Sequence, residues 1–221
     1  QAVQIVFTAQ DILVGNADYP TQPIAETSRD FRQLGLGYTN LGAMLMALGL
    51  PYDSDAGRAW AGAITALMSG AAYATSADLA HRVGAFAGYA SNSEPMQRVL
   101  GMHRDALATV SEDAPRDVVM KAQEFWDKAV SQCEIHGVRN SQATVIAPTG
   151  TISFMMDCDT TGIEPDLSLV KFKKLVGGGD LTIVNQTVGR ALSRMGYDSQ
   201  QIQEIEDFLL TGGSITEAPH V

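Results

Sequence analysis

Ala143-Thr144-Val145-Ile146-Ala147-Pro148-Thr149-Gly150-Thr151-Ile152-Ser153 is the stretch on which the reading of this chain turns. The apolar run Ala143 to Ala147, with two β-branched residues at its centre, predicts a buried strand, and it leads straight into a hydroxyl-lined turn that opens a helix. Such a turn holds the parts of a phosphate cradle. A glycine lets the backbone approach an anion closely, a helix start offers free N–H groups, and small hydroxyl side chains reach the remaining oxygens. Gly150, Thr151 and Ile152 are the expected N–H donors, and Thr149, Thr151 and Ser153 the expected hydroxyls. Pro-Thr-Gly-Thr is equally an ordinary turn with a capping threonine, and local chemistry leaves both readings open.

On the carboxyl side lies an irregular acidic stretch, Met156 to Pro165, in which Glu164 is fixed before a proline. Ser168 to Leu175 then alternates apolar and basic residues as a half-buried strand does, and the run Gly177 to Gly179 ends it. Two helices, Leu181 to Met195 and Ser199 to Leu210, are expected to close the chain. On the amino side, helical spacing from Thr21 to Gln33 gives way to a short strand, Leu34 to Tyr38. Asn40 is placed to cap a helix from Leu41 to Leu48, which Gly49 and Pro51 terminate. After Asp53 or Ser54, a long helix over Ala56 to Val83 carries Trp60, Ile64, Leu67, Met68, Ala71, Leu79 and Val83 as its core stripe among many small residues. Amphipathic helices follow over Glu94 to Val110 and Arg116 to His136. The expected class is α/β, mainly helical with a few short parallel strands.

The 221 residues carry 15 Lys and Arg against 25 Asp and Glu, a net charge of −10. That balance argues against a nucleic-acid polymer as partner, because a basic face supplies most of such affinity. No apolar run is long enough to suggest a membrane span. Cys133 and Cys158 form no disulfide framework and no Cys-x-x-Cys pair, so a reducing cytoplasm is the expected compartment. The amino end lacks a methionine and a signal-like layout, and the carboxyl end lacks a terminator; both features are expected of a segment cut from something longer.

Arg139 to Pro165, with Ala147-Pro-Thr-Gly-Thr-Ile-Ser153 and Gly162-Ile-Glu-Pro165 within it, together with Leu169-Val-Lys-Phe-Lys-Lys-Leu-Val-Gly-Gly-Gly179, resembles the adenosylcobalamin-dependent (class II) ribonucleotide reductases. Tyr19-Pro-Thr21, Arg32-Gln-Leu-Gly-Leu-Gly-Tyr38 and Leu50-Pro-Tyr-Asp-Ser54 resemble the same family in the same order, so the likeness runs from about Asp18 to about Tyr197. The resemblance implies a ten-stranded barrel made of two parallel five-stranded halves with helices outside, this chain being part of the second half. It implies one incomplete catalytic domain over 1–221, with a helical part at about 21–138, the turn and loops at about 139–180 and closing helices at about 181–211. By the same likeness, Pro148, Thr149, Gly150, Thr151 and Ile152 bind the substrate diphosphate; the residues themselves make Ser153 and Glu164 candidates for shaping the pocket, Glu164 alternatively by accepting from the N–H groups of the turn.

In that family adenosylcobalamin generates a cysteine thiyl radical that takes the ribose 3′ hydrogen, a carboxylate serves as base, and a cysteine pair reduces the 2′ position. The radical cysteine and glutamate lie in an Asn-x-Cys-x-Glu motif that this chain lacks, and the redox cysteines are likewise absent. Cys158, between Asp157 and Asp159, is unsuited to that role, and Cys133 with His136 is too small a set for a metal, so no catalytic or metal residue is assigned. The expected function is thus part of a ribonucleoside-diphosphate reductase, inactive alone, with the remaining reductase chain or a separately encoded partner completing it. The alternative is a non-catalytic split subunit or degenerate relative that binds a partner chain or a phosphorylated ligand. Lys171, Lys173 and Lys174 read as a solvated strand face before they read as diphosphate ligands. His81, His103 and His220 read as surface or helix residues, and Gly177 to Gly179 as either a closing loop or a plain connector.

Overall fold

The computed structural model describes residues 1–174 and 177–221, with backbone alone for 172–174 and 180–184. In chain order the helices are α1 (Ala2–Asn16), α2 (Gln22–Phe31), α3 (Leu41–Ala47), α4 (Asp55–Val83), α5 (Tyr89–Ala106), α6 (Arg116–His136) and α7 (Ile152–Met155). Strands β1 (Val170–Lys174) and β2 (Asp180–Val184) follow, then α8 (Val188–Met195) and α9 (Ser199–Leu210). Backbone contacts group these into two compact units, Gln1–Gly37 with Arg58–Ile146 and Tyr38–Gly57 with Ala147–Val221.

In the first unit α5 packs on α6 over a core of Phe86, Leu100, Trp126, Ala129, Cys133 and Val138, which Ala74 and Ala77 of α4 complete. The buried face of α4 differs from the expected one. Ala59, Ala63, Ala71, Ala72, Ala74, Ala77 and Ala80 are buried together with Met68, whereas Val83 is exposed and Trp60, Ile64, Leu67 and Leu79 are only half-buried. Small residues let neighbouring backbone and aromatic rings come close. A Cβ on Gly70 would stand 2.9 Å from Trp126 Cδ1, and the Trp126 indole N–H donates to Ala66 O at 3.0 Å.

A buried polar node ties α1 and α2 to the approach of the turn. Arg32 donates to Asp11 at 2.9 Å, and Asn140, wholly buried, donates to Asp11 Oδ1 at 2.8 Å and to Arg32 O at 3.0 Å. Ser76 closes the node, donating to Asn140 Oδ1 at 2.8 Å and accepting Asn140 N–H at 3.0 Å. The side chains of Asp11, Arg32, Asn140 and Ser76 all find partners in one another, which is what permits their burial. The α1 helix, to which the sequence reading assigned no element, contributes Asp11 to this node and Phe7 to the interior.

Neither expected strand of this unit forms a ladder. Leu34 to Tyr38 and Ala143 to Ala147 meet in a single parallel bridge, Leu36 with Thr144, through the bonds Leu36 N–H to Ala143 O and Val145 N–H to Leu36 O. One bridge gives too few hydrogen bonds to count as a strand, although the direction is the parallel one expected.

In the second unit α3 and α9 both pack against α8, and the core is Val188, Leu192, Ile205, Leu209 and Ala218. Strands β1 and β2 pair antiparallel, from Val170 opposite Val184 to Lys174 opposite Asp180. This corrects the expected helix from Leu181: its β-branched opening residues, Thr182 to Val184, fold back on β1, and the helix begins only at Val188. It also corrects the expected parallel pairing, for the ladder among the described residues is a hairpin. Gly177, Gly178 and Gly179 lie in its connection with φ of 109°, 99° and 97°, while Leu175 and Val176 of the expected strand lie outside the described residues. The α9 helix starts with a capping box, Asp198 accepting from Gln201 N–H while Gln201 Oε1 accepts from Asp198 N–H.

Candidate functional site

The turn lies in the second unit, and its helix is one turn long, α7 being only Ile152–Met155. The first α7 bond is Ser153 N–H to Thr149 O at 2.9 Å, so the N–H groups of Thr149, Gly150, Thr151 and Ile152 precede the hydrogen-bonded ladder and have no partner among the described residues. Gly150, Thr151 and Ile152 are exposed, and a Cβ on Gly150 would meet nothing within 4 Å. The three exposed donors among them, the first on a glycine, form a surface that an anion can approach.

The hydroxyls divide differently from the expectation. Ser153 is 1% exposed, and its Oγ donates to Thr149 O at 2.6 Å. Thr149 Oγ1 lies 2.7 Å from Ser153 Oγ and 2.9 Å from Thr39 Oγ1, and accepts Gly162 N–H at 2.7 Å. Thr149 has φ of +55°, a left-handed conformation that a β-branched residue adopts only when its surroundings hold it there. Thr149 and Ser153 therefore brace the turn from within, and Thr151 is the hydroxyl left at the surface.

The acidic loop beneath is held at several points. Thr160 N–H donates to Asn40 Oδ1 at 3.0 Å, and Thr160 Oγ1 accepts Ala43 N–H at 3.2 Å. Asn40 precedes α3 as expected, but with φ of +72° and no side-chain cap bond; its amide oxygen serves Thr160 instead. Tyr52 donates to Ile163 O at 2.8 Å. Gly162, at φ +47°, is required where it stands: a Cβ would lie 2.9 Å from Ala147 O and 2.1 Å from Glu164 Oε2. Glu164 itself is exposed, its carboxylate folded over Gly162, and it makes no bond to the N–H groups of the turn.

Lys171 does not reach toward the turn. Its ammonium donates to Asp159 O at 2.6 Å and pairs with Asp166 at 2.5 Å, an acid that Asn185 also contacts at 2.5 Å. Asp159 accepts from Gln186 N–H at 2.9 Å and from the Thr187 hydroxyl. These bonds tie the loop to both feet of the hairpin. The side chains of Lys173 and Lys174 lie outside the described residues.

Neither cysteine is a ready nucleophile. Burial, then the charges of Asp157 and Asp159, push the Cys158 thiol above its ordinary value. Burial also raises Cys133, whose sulfur is 3.4 Å from the Tyr89 hydroxyl, and burial with that contact pushes Tyr89 up to about 12. Cys133 and His136 do not converge: His136 lies against His81, their Nδ1 atoms 3.3 Å apart. His103 stacks on Trp126 and His220 bonds Glu204 at 2.6 Å. No group of three or more His, Cys, Asp or Glu is placed to hold a metal among the described residues, and no helix among them is long and apolar enough to cross a membrane.

Sequence reasoning singled out the turn but missed its supports, Thr39, Thr160 and Gly162. Their only sequence signal is chemical type, since the bonds they make join segments 13 to 120 positions apart.

The family model for the ribonucleotide reductase barrel domain matches residues 1–221. The chain is 55% identical over 218 residues to a vitamin B12-dependent ribonucleotide reductase of Rhodopirellula baltica, covering 99% of this chain and 21% of that protein. It is 53% identical over 221 residues to the proteins of that name from Streptomyces avermitilis and Streptomyces coelicolor, covering 99% of this chain and 23% of each of them. The chain thus spans about a fifth of the length of these relatives. Matched along its whole length, the chain belongs to the ribonucleotide reductase barrel-domain family, as a segment of the vitamin B12-dependent (class II) kind.

Proposed function

We propose that this chain supplies part of the catalytic barrel of a cobalamin-dependent ribonucleoside-diphosphate reductase, and that its turn Pro148 to Ile152 holds the substrate diphosphate. The observation that carries the proposal is the row of unpartnered N–H groups on Gly150, Thr151 and Ile152, exposed at an internally braced turn. The role of these residues is binding and orientation. A diphosphate fixed by backbone donors places the ribose at a set distance, and such positioning converts binding energy into rate.

The reaction needs groups this chain does not bring. Its two thiols are held protonated, and no Asn-x-Cys-x-Glu motif is present. Adenosylcobalamin, when bound, supplies the radical initiation. The residues here do not fit that group by themselves: the apolar cavity lined by Met46, Leu50, Pro51, Leu169, Val188 and Leu192 holds about 340 Å³, too little for a corrin ring with its nucleotide arm. Catalysis on this reading requires the rest of the reductase chain or a partner that takes its place.

Gly150→Val tests the turn. In the complete reductase the branched side chain obstructs anion approach, and KM for ribonucleoside diphosphate rises at least tenfold while the melting temperature stays within a few degrees. An unchanged KM retires the phosphate reading.

A further inference from the structure

Thr39 stands in the loop before α3, 110 positions from Thr149, yet its hydroxyl belongs to the turn. A hydroxyl has one proton and two acceptor sites, so the node can be counted out. The Ser153 proton goes to Thr149 O at 2.6 Å. The Thr149 proton then goes to Ser153 Oγ at 2.7 Å, and one Thr149 acceptor site takes Gly162 N–H at 2.7 Å. The remaining site faces the Thr39 hydroxyl at 2.9 Å, the shortest of that hydroxyl's contacts, with Ser153 Oγ at 3.2 Å and Thr160 O at 3.4 Å beyond it. With its own proton given to Ser153, Thr149 Oγ1 has none left to donate to a phosphate oxygen. Its bonds instead hold the residue at φ +55°, against the preference of a β-branched side chain. Two of its partners, Ser153 and Gly162, come from the turn and the loop beneath it; Thr39 alone comes from the distant segment.

We propose that Thr39 is a positioning residue for substrate phosphate binding, acting through Thr149 to keep the turn in the conformation that leaves its N–H groups free. The inference rests on the reading of the turn as the diphosphate site. Loss of the Thr39 hydroxyl leaves a Thr149 acceptor site empty at a half-buried position and lets Thr149 relax toward an ordinary backbone conformation, which turns the following donors away from a common anion. Thr39 needs no contact with substrate to have this effect.

The test uses the complete reductase with the Thr39→Val, Thr39→Ser, Thr149→Val and Gly150→Val variants. Thr39→Val should raise KM for ribonucleoside diphosphate, and the inhibition constant of inorganic pyrophosphate, by about tenfold, with kcat within about twofold. Thr39→Ser should restore both, and Thr39→Val should add nothing in a Thr149→Val background. If Gly150→Val raises KM and Thr39→Val does not, the role of Thr39 is overturned and the phosphate reading stands. If neither moves KM or the pyrophosphate constant, the phosphate reading fails and takes this inference with it. A Thr39→Val enzyme that loses kcat and melting temperature while keeping KM has lost packing alone, and that result also overturns the inference.

Discussion

Cys158 shows how charge at a single residue bears on the chemistry. Part-buried between Asp157 and Asp159, it favours the neutral thiol, because burial and two nearby negative charges all oppose the thiolate. The folded-state value is raised, so the thiol stays protonated through neutral pH and ionises only above the ordinary range. Alkylation by iodoacetamide should therefore be slow at neutral pH, rising only at a higher pH than for an ordinary exposed thiol, and buried Cys133 should react only after unfolding. Mass-spectrometric labelling across pH checks this, and fast labelling of Cys158 near neutrality would contradict it. At this scale the sequence was informative about type: the two aspartates flanking Cys158, and the glycine and threonines of the turn, announce their chemistry. Which hydroxyl faces inward was hidden, because that depends on Thr39 and Gly162 arriving from elsewhere in the chain.

Among the elements, α4 is governed by small residues. Gly70 faces Trp126 at a distance that allows no side chain, so Gly70→Val should cost about 1–3 kcal/mol through overpacking. Gly101, inside α5, has nothing within 4 Å of a built Cβ, and Gly101→Ala should stabilise by about 0.5–1 kcal/mol by restricting the unfolded chain. Urea unfolding of the two variants should give shifts of opposite sign; two shifts of the same sign would contradict the packing described here. Helix boundaries were readable where periodicity and caps agreed, as over Arg116 to His136 and Ser199 to Leu210. The stripe on α4 was misjudged because an alanine-rich helix buries its small residues as readily as its large ones. Strand β2 was missed because Leu181 to Val184 can continue into the apolar residues of α8, and only pairing with β1 selects the extended form.

For the molecule as a whole, the buried Asp11, Arg32 and Asn140 node joins α1, α2 and the segment that feeds the turn. Asp11→Ala leaves the Arg32 guanidinium and an Asn140 donor buried without their partner, and should cost about 3–5 kcal/mol. Calorimetry of the complete protein should show that loss; a change below about 1 kcal/mol would mean the node is open to solvent. Membership of the barrel family was legible because its motifs are contiguous in sequence, whereas the division into two units was not, since the second unit draws together Tyr38–Gly57 and Ala147–Val221. That discontinuity has a consequence for biosynthesis. Thr39 leaves the ribosome 110 residues ahead of Thr149, an interval of roughly 5 to 20 s at bacterial to eukaryotic elongation rates. Through that time the early segment has no turn to hold, so the second unit cannot be completed before Thr149 is made, and a nascent chain stalled short of it has an unbraced segment whatever the state of its helices.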